Sequence, residues 1–171
     1  MEIQILDWIQ SLRNPAGDLV FPLITALGNG GLIWILLTIM LLLVPGTRKN
    51  GTVLLAALLV DLVLCNVILK PLISRIRPFD INTAVQLMIA RPSDFSFPSG
   101  HTAASFAAVT ALYLSGAKGW LWKPVFLLAV LIACSRLYLY VHYPTDILGG
   151  IAVGWFSGYI GFHICKYLQK R

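Results

Sequence analysis

Apolar residues run in long stretches along this chain, broken by short polar turns. The first run, Leu19 to Val44, is interrupted by Gly28-Asn29-Gly30-Gly31, and further runs cover about 51–69, 100–116, 124–141 and 146–165. A helix crossing a bilayer needs about 20 such residues. The first run is therefore either one long span, or a short one joined to a second at the glycines. The pattern predicts five or six membrane helices. Ahead of them Ile3, Leu6, Ile9 and Leu12 recur at helical spacing, with Glu2, Asp7, Gln10 and Arg13 on other faces. That is a short amphipathic helix over 3–13 lying in the interface, with Trp8 at headgroup level. The polar turn Pro45–Asn50 and a longer polar stretch from Lys70 to Pro98 separate spans, and no internal repeat is visible.

Composition sharpens this into a class. Hydrophobic residues make up 58% and charged residues 12% of the 171, against about 25% charged in soluble domains. The chain has too little polar surface for a water-exposed globule. The expected fold is all-α, a single-domain polytopic membrane helix bundle over residues 1–171. A net charge of +6 would suggest nucleic acid in a soluble protein, but here topology accounts for most of it. Arg48, Lys49, Lys118, Lys123, Lys166, Lys170 and Arg171 fall on one side if the spans alternate, and that side is cytoplasmic by the positive-inside rule. Lys70, Arg75, Arg77, Arg91 and Arg136 fall on the other, periplasmic or external, face and partly oppose the count. Cys65, Cys134 and Cys165 lie in apolar stretches and read as small hydrophobes. The N-terminus shows no basic start with a small-residue cleavage site, so the first span is expected to act as the insertion signal.

Three clusters carry the chemistry. Lys70 ends a span, with Arg77-Pro78 following seven residues later; alone, these charges could equally be snorkelling anchors or loop charges. Pro98-Ser99-Gly100-His101 precedes an apolar run. Serine is a favoured N-cap, so a helix starts here with free backbone N–H groups, a ready site for an anion that glycine lets approach. His101 could donate a proton to a leaving oxygen, or be a plain surface histidine. In the third cluster Arg136 sits in an apolar segment, where an unpaired charge costs about 3 kcal/mol on insertion scales. His142, Pro144 and Asp146 follow. Pro144 breaks the helix, so His142 and Asp146 can face each other across a corner. Asp146 would then hold one ring nitrogen and leave the other as a nucleophile, or serve only the helix dipole. Three cations, two histidines and a helix start on one face are enough to hold a phosphate and attack it without a metal.

Taken together, Lys70-(six residues)-Arg77-Pro78, Pro98-Ser99-Gly100-His101 and Ser135-Arg136-(five residues)-His142-(three residues)-Asp146 resemble the signature of the type 2 phosphatidic acid phosphatases. That family includes bacterial undecaprenyl-diphosphate phosphatases and phosphatidylglycerophosphatases, and shares its signature with soluble vanadium haloperoxidases. The resemblance covers about residues 50–165. It implies a six-helix membrane bundle, no metal or other cofactor, and a lipid-linked phosphate as substrate. It further implies His142 as the nucleophile forming a phosphohistidine, Asp146 orienting it and His101 as general acid. Lys70, Arg77, Arg136, Ser99 and the Gly100 backbone would hold the phosphate.

Other residues are expected to be structural. Asp61, deep in its span, should pair within the bundle or be neutral; Gly149, Gly150, Gly154, Gly158 and Gly161 form a small-residue stripe for close packing. Tyr138, Tyr140, Tyr143, Trp120 and Trp122 fit aromatic belts. The expected function is hydrolysis of a lipid-linked phosphate or diphosphate, with undecaprenyl diphosphate favoured. Phosphatidylglycerol phosphate, phosphatidic acid, lipid A 1-phosphate and a lipid phosphotransferase reaction are the alternatives. An anion transporter is the rival outside catalysis. Nucleic acid is not an expected partner, and the oligomeric state is open.

Overall fold

The computed structural model describes residues 1–170, and among them all regular structure is helical. The amphipathic segment forms α1 (Glu2–Ser11), which turns Leu6 inward and leaves Trp8 exposed. Asn14 caps α2 (Pro15–Leu27) by accepting a hydrogen bond from the Gly17 amide at 2.9 Å. The glycine run then ends α2. Gly30 (φ 58°) and Gly31 (φ 72°) take left-handed backbone that other residues resist, and α3 (Leu32–Leu43) leaves at a 45° bend. The first apolar run is thus a bent pair, not a straight span.

From its basic end, α4 (Arg48–Asp61) runs through a π-helical segment, Leu62–Leu69, into α5 (Lys70–Ile73). Short α6 (Pro78–Ile81) and an irregular loop lead to α7 (Gly100–Leu114), then α8 (Gly119–Tyr138) and α9 (Pro144–Leu168). Pro45–Ile81, Gly119–Tyr138 and Pro144–Leu168 are each long and apolar enough to cross a membrane, and the bent α2–α3 pair passes the same test when taken as one span. At 15 residues α7 is shorter. It still runs the depth of α4, because Asn50 donates to the Ser115 hydroxyl at 2.8 Å at one end and Gly100 lies beside Lys70 at the other. With α7 as the fifth traverse, the all-α bundle agrees with the sequence pattern.

The glycine stripe does what its spacing predicts. A Cβ at Gly154 would stand 2.3 Å from the Ala103 carbonyl oxygen, and one at Gly161 would stand 2.5 Å from the Ala57 nitrogen. So α9 packs against α7 and α4 nearly backbone to backbone. Below the site the core is apolar, built on Trp34, Leu54, Ala57, Ala107, Leu112 and Ile132. The aromatic expectation needs one correction: Tyr138, Tyr140 and Tyr143 are buried around Leu6 and Phe79 rather than forming a surface belt.

The π-helical stretch matters for the site. Nine residues separate Asp61 from Lys70. At about 100° per residue an α-helix would put them on opposite faces, whereas the wider π turn, about 4.4 residues, brings them back to one face. Both line one groove. Asp61 is 3% exposed and its Oδ1 has no hydrogen-bond partner.

Candidate active site

Three helix ends converge on the site. Ser99 caps α7: its hydroxyl accepts from the Thr102 amide (3.5 Å) and the Thr102 hydroxyl (3.0 Å), so this oxygen is turned into the cap. Gly100 and His101 are left facing the cavity. At the end of α8 the Tyr140 amide donates to the Leu137 carbonyl and the Val141 amide to the Arg136 carbonyl. This is the paired-bond stop that usually carries glycine in left-handed backbone. Here Tyr140 takes it at φ 60°, with its hydroxyl donating to Asp7 (2.7 Å) and accepting from Asn82 (3.1 Å). The tight turn delivers His142. Pro144 then fixes the first turn of α9, and Asp146 Oδ2 accepts from the Tyr143 amide at 2.8 Å.

Asp146 therefore fills both roles left open by the sequence. The same Oδ2 that caps α9 lies 3.4 Å from His142 Nδ1 and takes the Ser96 hydroxyl at 2.5 Å. Its Oδ1 accepts from Arg75 Nη1 at 2.7 Å, and Arg75 Nη2 reaches Glu2 at 2.5 Å. Neither Asp146 nor His142 is more than 1% exposed. With Nδ1–H directed at Asp146, the lone pair of His142 Nε2 faces the cavity, 3.2 Å from Arg77 Nη1. Burial, followed by the nearby Arg136, Arg77 and Lys70 charges, holds His142 well below the usual imidazole range, so the ring is neutral.

One cavity of about 490 Å³ brings together Lys70, Arg77, Gly100, His101, Arg136 and His142. Arg77 also donates to the Val141 carbonyl at 2.7 Å, and Arg136 Nη1 donates to the Thr25 hydroxyl at 2.5 Å. Arg136 Nε is buried without a partner. His101 Nε2 meets Asn29 Oδ1 at 2.9 Å. Of the eight residues singled out from sequence, six line this cavity; Asp146 stands behind His142, and Ser99 behind Gly100. A second cavity of about 660 Å³ shares Lys70, Asp94, Gly100 and His101 and continues between α3 and α4 past Ile35, Leu55 and Leu59 down to Asp61.

Several contributors were not legible in the sequence. Arg75 looked like a loop charge, yet it is the cation on Asp146. Asp94, Ser96 and Asn29 lie outside the three clusters, in an irregular loop and at the glycine break. The one available hint for Asn29 was its place in a break that serves no helix.

Residues 50–170 match the PAP2 superfamily. The chain belongs to that family. It is 35% identical over 126 residues to an undecaprenyl-diphosphatase of Sulfolobus acidocaldarius, covering 73% of this chain and 60% of that one. It is 30% identical to the undecaprenyl-diphosphatase BcrC of Bacillus subtilis, covering 99% of this chain and 86% of that protein. The crystal structure of Aquifex aeolicus LpxE superposes with a TM-score of 0.80 at 30% identity, over 95% and 94% of the two chains. Against other curated relatives the chain spans less; it covers half the length of a lipid A 4'-phosphatase from Bacteroides thetaiotaomicron.

Proposed function

We propose that this protein hydrolyses a lipid-linked phosphate or diphosphate through a phosphohistidine on His142. The observation that carries the reading is continuity. A cationic cavity holding a neutral imidazole opens into an apolar groove inside the bundle. A phosphate with a long hydrocarbon tail fits both parts at once. The rival anion-transport reading lacks support, because the core below the cavity is packed with alanine, leucine and tryptophan and offers an anion no further cation.

In the first step the Nε2 lone pair of His142 attacks phosphorus. A P–N bond forms as the bond to the leaving oxygen breaks, and His101 protonates that oxygen. Lys70, Arg77 and Arg136, with the Gly100 backbone, take the charge on the equatorial oxygens. Asp146 holds the imidazole in the tautomer that presents Nε2. In the second step water gives its proton to His101 and attacks phosphorus, the P–N bond breaks, and inorganic phosphate leaves. Ser99 acts through the cap that presents Gly100. The three cations supply the charge that a metal would otherwise bring.

Undecaprenyl diphosphate is the favoured substrate. The groove has aliphatic walls that suit an isoprenoid chain, and two relatives carry that activity in their names. Orientation follows from charge. Arg48, Lys49, Lys118, Lys123, Lys166 and Lys170 lie at the end away from the cavity, which supports an external site by the positive-inside rule; Arg171, counted with them, lies outside the described residues.

The test is phosphate release by purified protein in EDTA from detergent-solubilised undecaprenyl diphosphate, phosphatidylglycerol phosphate, phosphatidic acid and lipid A. Release that disappears in His142→Ala supports the reading, and the preferred lipid names the substrate. Release that survives this substitution, that needs added Mg²⁺, or that is absent from every lipid overturns it.

A further inference from the structure

The glycine break between α2 and α3 is fitted to His101. A Cβ at Gly28 would stand 2.7 Å from His101 Cδ2, so the imidazole lies flush against the chain where glycine leaves it room. The next residue supplies the contact, Asn29 Oδ1 to His101 Nε2 at 2.9 Å. An amide oxygen carries no proton, so the proton in that bond belongs to Nε2. Among the described residues this is the ring's one hydrogen bond, and Nδ1 has no partner. The ring lines both the cationic cavity and the apolar groove, and Asn29 lines the cationic cavity beside it. One turn earlier, Thr25 accepts from Arg136 Nη1. The end of α2 and the break thus hold two side chains of the site, although they lie outside all three sequence clusters.

We propose that Asn29 is a positioning residue for proton transfer, holding His101 by Nε2 so that Nδ1 is the nitrogen that exchanges a proton with the reacting oxygens. The inference rests on the reading of His101 as general acid. In the first step His101 enters as imidazolium, with a proton on each nitrogen. As the P–O bond breaks, the leaving oxygen keeps the electron pair and takes the Nδ1 proton. The ring is left neutral, its Nε2 proton still on Asn29. In the second step the attacking water returns a proton to Nδ1. The acceptor matters most while the ring is charged, because hydrogen bonds from an ionised donor are roughly twice as strong as neutral ones. Lys70, Arg77 and Arg136 share the cavity and oppose a further positive charge. Asn29 offsets that opposition without adding an anion that would repel phosphate.

The test exploits the leaving group. The alkoxide released from phosphatidic acid needs a proton as it departs, whereas p-nitrophenolate is stable without one. For both substrates kcat/KM, which covers the steps up to loss of the leaving group, is measured in the same detergent micelles. In Asn29→Ala it should fall at least tenfold for phosphatidic acid and less than threefold for p-nitrophenyl phosphate. The ratio of the two is independent of how much of the variant folds. Asn29→Asp keeps an acceptor oxygen at the same reach and should hold the wild-type ratio within threefold, since its repulsion of phosphate falls on both substrates alike. Equal falls on both substrates, no fall on either, or an Asn29→Asp ratio as altered as that of Asn29→Ala overturns the inference. His101→Ala tells the two readings apart. No selective loss in that variant removes His101 as the acid and this inference with it; selective loss there but not in Asn29→Ala removes this inference alone. Should wild type turn over only one of the substrates, histidine-selective isotope-labelled NMR reads the contact directly. A slowly exchanging Nε2 proton that is missing from both His101→Ala and Asn29→Ala supports it; the same proton retained in Asn29→Ala, or none in wild type, overturns it.

Discussion

Replacing Asp146 by asparagine separates two ways in which a carboxylate can serve a histidine. Asparagine offers one acceptor oxygen where aspartate offers two, and its NH₂ group must face somewhere. In one orientation the oxygen keeps the Oδ2 position, where the His142 Nδ1, the Tyr143 amide and the Ser96 hydroxyl converge, and the NH₂ group confronts Arg75. In the other the oxygen serves Arg75 and the NH₂ group meets three donors. Three buried contacts outweigh one to Arg75, which is 27% exposed and keeps Glu2 as a partner. The first orientation wins, so His142 keeps its Nδ1–H tautomer and its nucleophilic Nε2. What is lost is the charge behind the imidazole as it takes up phosphorus. A hydrogen bond to a charged group contributes about 1.5–3 kcal/mol, and a tenfold change in rate corresponds to about 1.4 kcal/mol. Asp146→Asn should therefore lower kcat roughly 10- to 150-fold, with KM little changed. Arg75→Met in the same protein removes the donor–donor conflict, and should recover part of the loss instead of adding to it. The assay is phosphate release at saturating lipid for the two single variants and the double variant. A fall of about 10⁴, the size seen when the tautomer is wrong in serine-protease triads, would refute the orientation argument. Unchanged kcat would remove Asp146 from the chemistry altogether.

Three other outcomes are expected. Because His142 is held neutral well below the usual 6.5, the acidic limb of kcat/KM should lie well under pH 6.5. The unfolded chain binds a proton there that the folded protein does not, so stability should fall as pH drops from 7.5 to 5. Asp94, depressed to about 2, contributes a stability that is constant above the unfolded carboxylate range and is lost only below it, so it leaves that window untouched. Thermal unfolding of wild type and His142→Gln at the two pH values measures it, and the variant should show the smaller drop. Gly154→Val drives a side chain into the Ala103 carbonyl and should destabilise by about 1–3 kcal/mol, lowering Tm by several degrees; an unchanged Tm would mean that α7 and α9 separate easily. A cysteine at exposed Ser93, with Cys134 replaced, should label from outside intact cells, and labelling only from the cytoplasmic side would reverse the proposed orientation.

What the sequence made legible is what has a period or a fixed spacing. The helices follow from apolar runs, α1 from its amphipathic repeat, and the α7–α9 contact from the glycine stripe. The convergence of Lys70, Arg77, His101, Arg136 and His142 follows from alternating spans that return each cluster to one face. Tertiary partners without a local pattern were invisible. Arg75 reaches Asp146 across 71 positions and Asn29 reaches His101 across 72. No periodicity in either segment marks such a meeting. The π-helical stretch is a case of its own. An apolar run reads the same at either pitch, yet the pitch decides whether Asp61 shares a face with Lys70.

The same division explains why the substrate end of the site is harder to read than its catalytic end. His142, Asp146 and Arg136 sit at the tightly packed ends of α8 and α9, where the helix stop at Tyr140 and the cap on α9 leave the backbone one path. Spacing in the chain is then nearly spacing in the site. Lys70 and Arg77 are divided by the left-handed turn at Ser74 (φ 48°), and Asp94 comes from a loop with no helical period. There the geometry is set by which charges find each other. Sequence supplies two cations and one carboxylate; only the fold shows them paired. The geometry of the cations is therefore set in the loop, and that of the imidazole in the helix ends. Substitutions at Asp146 should then change the rate of the chemical step without changing what is bound.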